Sequence, residues 1–487
     1  MSRWLHAVVL VLALAASGCA SGAELARGAT MPSGRVGQPA PVTTDVDRDT
    51  SDPTLLGVWR DGRYVVVLLD IPQAASGAVR TEGFAEAVRG IRLVDLFGRT
   101  VRTPVESGRR GDVVVARFAA EPAPRAVRVL LERGDDLGPE RVASRRPAGL
   151  RDVEIPDAVP LGSAPVRSIV ALSEGAAGTY EVRHDDRREV ALPADVLFDT
   201  DEADLSPKAG AVVGAAIDTL RTLEPGTEVV VAGNTDDVGD AGYNLDLSRR
   251  RAEAVAAAIG AARPAVPVRL RIDARGESRP LVANHDETGT PLDANRALNR
   301  RVSLEFQADA GSDTDTATTS GIVVLPDAIP ARGGIAVVGS IASATATVDN
   351  ALGTSTFRLD VTAAERLDGA MRVSFALQNL GGSNPNGDDW VHLFADAARS
   401  DGRFDVDDSL RPESASLRSV RVVDGRLLAR PLFDDAGLVI GSREFSGRLR
   451  VGSIVRLSAW FPAPAAGVTA VELMIPTFGT VRGLPLS

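Results

Sequence analysis

Alternating apolar and polar residues, interrupted by turn residues, dominate both ends of the chain. In the N-terminal part they form short runs at 64–69, 91–95, 112–118 and 126–130. Runs of this length and period predict antiparallel β-strands, and several of them in succession predict a β-sandwich. We therefore expect a sandwich-like module over 53–135.

A similar order of runs recurs near the C-terminus. The stretch Gly90–Asp95 matches Ser419–Asp424, and Gly111–Phe118 matches Gly452–Phe461. The pattern predicts a second sandwich-like module over 322–487. It favours a degenerate duplication of one module, although two β-rich stretches can also match by chance.

Residues 186–307 have a different pattern. One helix is predicted with Ser206 as its N-cap and Pro207 at its first position, because apolar residues spaced three to four apart follow them. A second helix is expected from about 244 to 262. Strands are predicted at 188–198, 229–231, 268–272 and 302–306. The order βαβαβ-β predicts an α+β domain, so the fold class is multidomain, with a central α+β domain flanked by two all-β modules. Two stretches poor in core residues, 136–185 and 308–321, are expected to be a connector and a linker.

The first nineteen residues resemble an export signal. Arg3 precedes an apolar run of 12 residues, Leu5–Ala16. Because about 20 apolar residues are needed to span a bilayer, this run is typical of a signal-peptide core. The ending Ala16-Ser17-Gly18-Cys19 resembles the bacterial lipobox, in which a peptidase cleaves before the cysteine and the sulfur carries lipid. The alternative is an ordinary signal peptide with an incidental cysteine.

The lipobox resemblance implies a signal peptide at 1–18 and a mature chain that begins at Cys19. Residues 20–52 are rich in Gly, Pro, Ser and Thr and have no apolar period. This composition is typical of a flexible tether. We therefore expect a lipid-anchored tether over 19–52.

Composition excludes several classes of function. The 487 residues include 54 basic and 65 acidic ones, a net charge of −11, which argues against nucleic acid binding. Cys19 is the only cysteine, so a disulfide framework and a cysteine-ligated zinc site are excluded. No P-loop, GxSxG or HExxH motif occurs. We predict no enzymatic activity, no cofactor and no metal. A catalytic triad assembled in space stays open, and so does Ca²⁺ binding by the acids at 401–408, although solvated loop acids are the more common case.

Four ordered blocks in the central domain resemble the OmpA-like peptidoglycan-binding domain, as found in peptidoglycan-associated lipoproteins. The blocks are Leu197-Phe198-Asp199-Thr200-Asp201, then Gly233-Asn234-Thr235-Asp236 with the following Asn244 and Arg251, then Gly276-Glu277, and finally Asn299-Arg300-Arg301-Val302. They extend over about a quarter of the chain. One departure is Asn234, where the family usually has histidine. We expect a tuned site there rather than an inactive one.

The residues of the second helix indicate a charged site. Leu247, Arg251, Val255 and Ile259 recur every four positions, so Arg251 interrupts an apolar row. An inward guanidinium needs anionic or carbonyl acceptors. Asp236 follows a predicted strand at the point where a loop leads into this helix. Together the two charges suit a zwitterionic ligand, although they also suit an internal salt bridge that only fixes the loop.

The resemblance implies that the ligand is the diaminopimelate-type stem residue of peptidoglycan. Asp236 would then bind the amine and Arg251 the carboxylate. Asn244 would orient the ligand or the loop, and Thr235 belongs to the same set. Asp199 and Asp201 would form the opposite wall. Arg300 and Arg301 are less informative: they could contact glycan or stem peptide, but outward arginines on an edge strand more often serve solubility.

These observations predict a non-catalytic envelope protein that is anchored to a membrane at Cys19 and binds peptidoglycan noncovalently. The membrane would be the outer membrane or the outer face of the cytoplasmic membrane. The alternative is an adhesin or assembly protein whose β-sandwich modules bind protein partners, with wall binding serving only localisation. A wall hydrolase is a more distant alternative.

Overall fold

The computed structural model describes residues 53–71, 91–131, 136–161, 166–184, 187–262, 265, 267–286, 288–307, 327–331, 337–350, 353–383, 388–389, 417–424, 427–442, 448–449 and 451–487. The predicted signal peptide, Cys19, the tether, the linker 308–321 and the acids at 401–408 lie outside these residues. Within them, no helix has both the length and the apolar character that crossing a bilayer requires.

The N-terminal module consists of two sheets that face each other. Its strands are β1 (Thr54–Asp61), β2 (Tyr64–Asp70), β3 (Arg92–Asp95), β4 (Thr100–Arg102), β5 (Glu106–Arg110), β6 (Val113–Ala119), β7 (Ala126–Leu130), β8 (Asp136–Arg141), β9 (Val159–Pro160) and β10 (Val166–Val170). One sheet has the order β1-β2-β6-β5-β9, and the other contains β10-β4-β3-β7-β8. Val67, Leu93 and Phe118 are fully buried in the core between them. The alternation of the sequence produces this core, because alternate side chains of each strand point inward.

The central domain is an α+β layer. Its elements are β11 (Leu172–Glu174), β12 (Tyr180–Arg183), β13 (Arg187–Pro193), α1 (Ala194–Leu197), α2 (Ala209–Arg221), β14 (Glu228–Asn234), α3 (Ala241–Gly260), β15 (Arg269–Gly276), α4 (Asp293–Asn299) and β16 (Arg301–Gln307). The strands are ordered β15-β14-β16-β13, and only β14 and β15 are parallel. Apolar residues of α2 and α3 pack against this sheet. The two long helices follow strands in the predicted order, but the strand predicted over 188–198 ends at Pro193, and 194–197 form α1 instead; α4 was not predicted.

Both long helices begin at positions that differ from the predicted ones. Ser206 is not the N-cap of α2, which starts three residues later; its hydroxyl instead accepts a hydrogen bond from the Lys208 amide at 3.2 Å and donates to the Val196 carbonyl at 2.8 Å. The start of α3 is fixed by Asp240, whose carboxylate accepts from the amides of Gly242 and Tyr243. A side-chain acceptor at this position satisfies free amides of the first turn. It brings Tyr243 and Asn244 to the start of the helix.

The C-terminal module also consists of two packed sheets. Its strands are β17 (Ala342–Asn350), β18 (Gly353–Leu367), β19 (Ala370–Gly382), β20 (Asp388–Asp389), β21 (Arg421–Asp424), β22 (Leu427–Ala429), β23 (Phe433–Asp434), β24 (Arg448–Leu449), β25 (Ile454–Pro462), β26 (Ala470–Ile475) and β27 (Gly479–Pro485). The sheet β17-β18-β19-β25 packs on β22-β21-β26-β27, while β20 pairs with β24 and β23 with β10.

The two β modules share one strand plan. The order β1-β2-β6 in the first corresponds to β18-β19-β25 in the second, and β4-β3-β7-β8 corresponds to β22-β21-β26-β27. Even the register agrees, since Leu93 lies opposite Val129 and Val422 lies opposite Leu473. Chance similarity between two β-rich sequences does not predict the same register. The structure therefore favours the duplication.

The described parts of the stretch expected to be a connector, 136–161 and 166–184, contain strands. β8 and β9 are edge strands, where proline is tolerated, and this location accounts for Pro139 and Pro160. Further along, β10 pairs with β4 of the N-terminal module, and β11 pairs with β22 of the C-terminal module. A ten-stranded sheet thus runs from β15 through the central domain to β27. The sequence did not predict β10, β11 and β12, because strands of three to five residues are too short to show an alternating pattern.

Candidate ligand-binding site

A cavity of about 510 Å³ opens at the carboxyl end of β14, between α1, the start of α3 and the end of α4. It contains all six residues that the sequence predicts for ligand binding. The full lining is Asp195, Phe198, Asp199, Thr200, Asp201, Thr235, Asp236, Val238, Tyr243, Asn244, Leu247, Arg251 and Arg300. The cavity therefore contains four carboxylates and two guanidinium groups.

Arg251 lies on the inward face of α3 and is only 6% exposed. Its Nε donates to the Glu202 carbonyl at 2.9 Å, and its guanidinium lies 5.0 Å from the ring centre of Phe198. No carboxylate of the described residues lies within ion-pair distance of it. Burial lowers the pKa of Arg251, and the carboxylates of Asp195 and Asp201 oppose that shift. The arginine is thus a buried cation that faces a cavity without a bonded anion.

Asp236 is paired with Arg300 and not with Arg251. Asp236 Oδ2 lies 2.7 Å from Arg300 Nη1, and Asp236 Oδ1 accepts from the Val238 amide at 3.1 Å. The other two nitrogens of Arg300 bind both oxygens of Asp195 at 2.8 and 2.7 Å. The bonds to Asp195 raise the pKa of Arg300 against the effect of burial, with help from Asp236. Among the described residues Asp236 and Arg251 therefore do not form the internal salt bridge that the sequence also allowed.

Asn244 holds the loop that carries Asp236. Its side-chain amide is buried and donates to the Val238 carbonyl at 3.1 Å and to Glu277 Oε2 at 2.7 Å. Of the two roles that the sequence left open, these contacts favour loop orientation. Glu277 belongs to the third family block, so the contact explains why that block accompanies the others.

Thr235 and Asn234 differ in their relation to the cavity. Thr235 lines it, and its buried hydroxyl has no hydrogen-bond partner among the described residues. Asn234 lies beneath the cavity in the sheet, 1% exposed, and donates to the Ala232 carbonyl at 3.2 Å. The substitution of the family's usual histidine is therefore a change in the supporting layer and not in the cavity wall.

Asp199 and Asp201 form the exposed side of the cavity, as expected for an opposite wall. Asp201 has a left-handed backbone, with φ of 60°, which turns the chain sharply between α1 and α2. Aspartate tolerates this conformation better than most residues. Tyr243, 44% exposed, stands at the same rim.

The sequence did not single out Asp195, and it left Arg300 with two roles, ligand contact or solubility on an edge strand. The edge-strand role does not fit, because β16 lies between β13 and β14 in the sheet and Arg300, just before it, lines the cavity. Arg301 is 3% exposed and pairs with Glu189. Its burial also contradicts a solubility role. The Asn299-Arg300-Arg301 block carried the signal, because it was one of the four family blocks.

The described residues contain no cluster of three or more His, Cys, Asp or Glu side chains with the geometry of a metal site. The chemistry that the cavity offers is ionic and hydrogen-bonding recognition. A ligand that combines a carboxylate with an ammonium group fits the charges on its walls.

Comparison with known proteins places the same stretch in a family. Residues 197–293 match the OmpA family. The outer-membrane lipoprotein YfiB of Pseudomonas aeruginosa is 33% identical over 131 residues, which are 27% of this chain and 72% of that protein. The peptidoglycan-associated lipoprotein of Legionella pneumophila is 36% identical over 115 residues, 23% of this chain and 59% of that protein. The chain spans 33% to 57% of the length of three outer-membrane proteins that it also matches.

Among solved structures, the peptidoglycan-associated lipoprotein of Burkholderia pseudomallei is 28% identical and covers 23% of this chain and 88% of its own, with a TM-score of 0.17. The predicted resemblance of the central domain is confirmed by the sequence comparisons.

Proposed function

The chain belongs to the OmpA family through its central domain, residues 197–293, and from this premise we propose that the domain binds peptidoglycan noncovalently. The relatives include outer-membrane lipoproteins and a peptidoglycan-associated lipoprotein, which supports a location in the cell envelope. In this proposal the protein is non-catalytic, and it links a membrane to the cell wall.

The observation that carries the proposal is the state of Arg251. A buried guanidinium with only carbonyl acceptors has unused hydrogen-bonding capacity on the side of the cavity. A ligand carboxylate would complete its shell in a fork geometry that suits arginine. The family ligand, the diaminopimelate-type stem residue, presents such a carboxylate next to an ammonium group.

The carboxylates of the cavity supply the complementary site for the ammonium. Arg300 neutralises one of the two charges on Asp195 and Asp236, and Asp199 and Asp201 add two further negative charges at the rim. An ammonium beside Asp236 would therefore meet an excess of negative charge.

Lipid attachment at Cys19 would place this domain on a tether at the membrane surface. Two or more acyl chains hold a protein stably in a bilayer, whereas one chain does not. One ionic site binds modestly, but a polymeric wall and many anchored copies raise retention through effective concentration. The tether and the pocket together would give a reversible link.

Co-sedimentation of the full chain with purified diaminopimelate-type sacculi tests the wall-binding proposal. We expect Arg251→Ala and Asp236→Ala to abolish binding. The matched control is Arg249→Ala, because Arg249 lies on the same helix, is half-exposed and pairs only with Asp246 at the surface. Full retention of both cavity variants on sacculi would contradict the site assignment. The lipid anchor is tested separately: the Cys19→Ser variant should no longer be found in the membrane fraction.

A further inference from the structure

Besides the pairing of β11 with β22, a turn of the C-terminal module contacts the central domain. Residues 434–438, which we term the docking turn, lie against α4 and the segment that precedes it. The buried side-chain amide of Asn295 donates to the Ala436 carbonyl at 3.2 Å and to the Ala283 carbonyl at 2.9 Å. The Ala283 amide in turn donates to the Asp435 carbonyl. The turn is thus bonded to two segments of the central domain.

The docking turn has a fixed shape. The buried carboxylate of Asp434 accepts from the amides of Ala436 and Leu438 at 3.0 and 2.9 Å. Gly437 has a φ of +83°, and a Cβ built on it would lie 2.7 Å from Asn295 Oδ1. The contact therefore needs glycine both for its backbone conformation and for the close approach of α4.

The same helix also holds the loop 235–240, which lies between β14 and α3 and carries Asp236. Arg296, next to Asn295, binds Asp237 through Nε at 2.9 Å, and His285 binds the other oxygen of Asp237 at 3.1 Å. Arg300, at the end of α4, binds Asp236. Consecutive aspartates of the cavity loop are therefore both held by arginines of a helix that rests on the C-terminal module.

We propose that the docking turn is a positioning element of the cavity, so that ligand binding at Asp236 and Arg251 and the packing of the C-terminal module are thermodynamically coupled through α4. This inference rests on the proposed function and adds a regulatory role for the C-terminal module. Displacing the turn moves α4, and α4 sets the positions of both aspartates. Because coupling is reciprocal, ligand in the cavity must also stabilise the turn.

The test compares two alanine variants of the full chain in detergent. Gly437→Ala places a methyl group against Asn295, whereas Gly452→Ala has the same φ of +83° and no atom within 4 Å of its Cβ. We expect Gly437→Ala to weaken binding to sacculi at least about fivefold, the lower end of typical coupling. Gly452→Ala should bind as the parent does. Equal binding by the two variants overturns the proposal.

A second measurement uses the unaltered protein and does not depend on whether Gly437→Ala folds. A disaccharide-tripeptide muropeptide that ends in diaminopimelate is added, and amide hydrogen exchange is followed in peptides that cover 432–441 and Ala283. If the sites are coupled, muropeptide slows amide exchange in these peptides of the unaltered protein. In the Arg251→Ala variant, which is the control, muropeptide should leave the exchange unchanged. Unchanged exchange, in a parent protein that does bind the muropeptide, overturns the coupling and leaves the wall-binding proposal standing. Absence of muropeptide binding by the parent instead contradicts the wall-binding proposal.

Discussion

Arg300 Nη1 lies 2.7 Å from Asp236 Oδ2, so the aspartate expected to face Arg251 is instead bonded to an arginine at the end of α4. This pairing leaves Arg251 without a carboxylate in the described part of the chain. It separates the two charges on which the binding hypothesis depends: one is held in place by the protein, and the other is available for a ligand. The predictions that follow test this division of roles.

Arg300→Gln is expected to destabilise the fold by about 2 kcal/mol, because a hydrogen bond between charged groups contributes about 1.5–3 kcal/mol and Asp236 would lose its cation while buried. Urea unfolding measures this change. Arg221→Gln is the control, since its i,i+3 pair with Asp218 is exposed and should contribute less than about 0.5 kcal/mol. Equal stability of the two variants would show that the Asp236–Arg300 pair contributes no more than a surface pair.

Arg251→Lys keeps the positive charge but loses the planar group that binds the Glu202 carbonyl and lies over Phe198. Lysine cannot form a fork with a carboxylate. We expect about tenfold weaker muropeptide binding by calorimetry, or about 1.4 kcal/mol, with Arg251→Ala weaker still. Arg250→Lys on the exposed face of α3 provides the control. Parent-like affinity of Arg251→Lys would mean that charge alone is recognised.

Gly233→Ala should separate α3 from the sheet. A Cβ at this position would lie within 2.0 Å of the Ser248 carbonyl oxygen on α3, which is backbone and cannot rotate away. We expect a loss of at least about 2 kcal/mol in unfolding free energy, as for overpacked cores, and weaker sacculus binding, because Arg251 moves with the helix. Gly214→Ala in α2, which meets nothing within 4 Å, should stabilise the protein by about 0.5–1 kcal/mol. A tolerated Gly233→Ala would argue against this close packing.

Glu174 makes the junction between the central domain and the C-terminal module sensitive to acid. Burial by itself raises the pKa of this carboxyl, but Arg430 and Arg421 overcome the effect and lower its pKa to about 2. A carboxyl with a lowered pKa stabilises the folded state above its unfolded pKa of about 4.5, and this contribution is lost as pH falls towards 2.

Unfolding free energies between pH 5 and 2.5 measure this dependence. The unaltered protein should lose up to about 3 kcal/mol more than Glu174→Gln over this interval, since one pKa unit corresponds to about 1.4 kcal/mol. The variant starts less stable at pH 5 because it lacks the charge that Arg421 and Arg430 require. Parallel curves for the two proteins would show that Glu174 does not control the acid response.

The sequence by itself predicted the two long helices of the central domain and six of the residues that line its cavity. The spacing of apolar residues every three to four positions predicted α2 and α3. The four sequence blocks predicted that Asp199, Asp236 and Arg251 lie at one site, and all three line the cavity. These features depend on local periodicity and on residues close to strand and helix ends. Such patterns are visible within one segment of chain.

Only the tertiary structure decided which charged side chains form pairs and which strands of distant segments become neighbours in one sheet. Arg300 binds Asp236 because β16 inserts between β13 and β14, an order that no local pattern specifies. Likewise β11 pairs with β22, some 250 positions later in the chain, a pairing that no local pattern in either strand specifies. The free N–H and C=O groups of an edge strand, and a buried charged side chain, bond to the groups that the completed fold places next to them. Their partners therefore depend on the global packing and not on the neighbouring sequence.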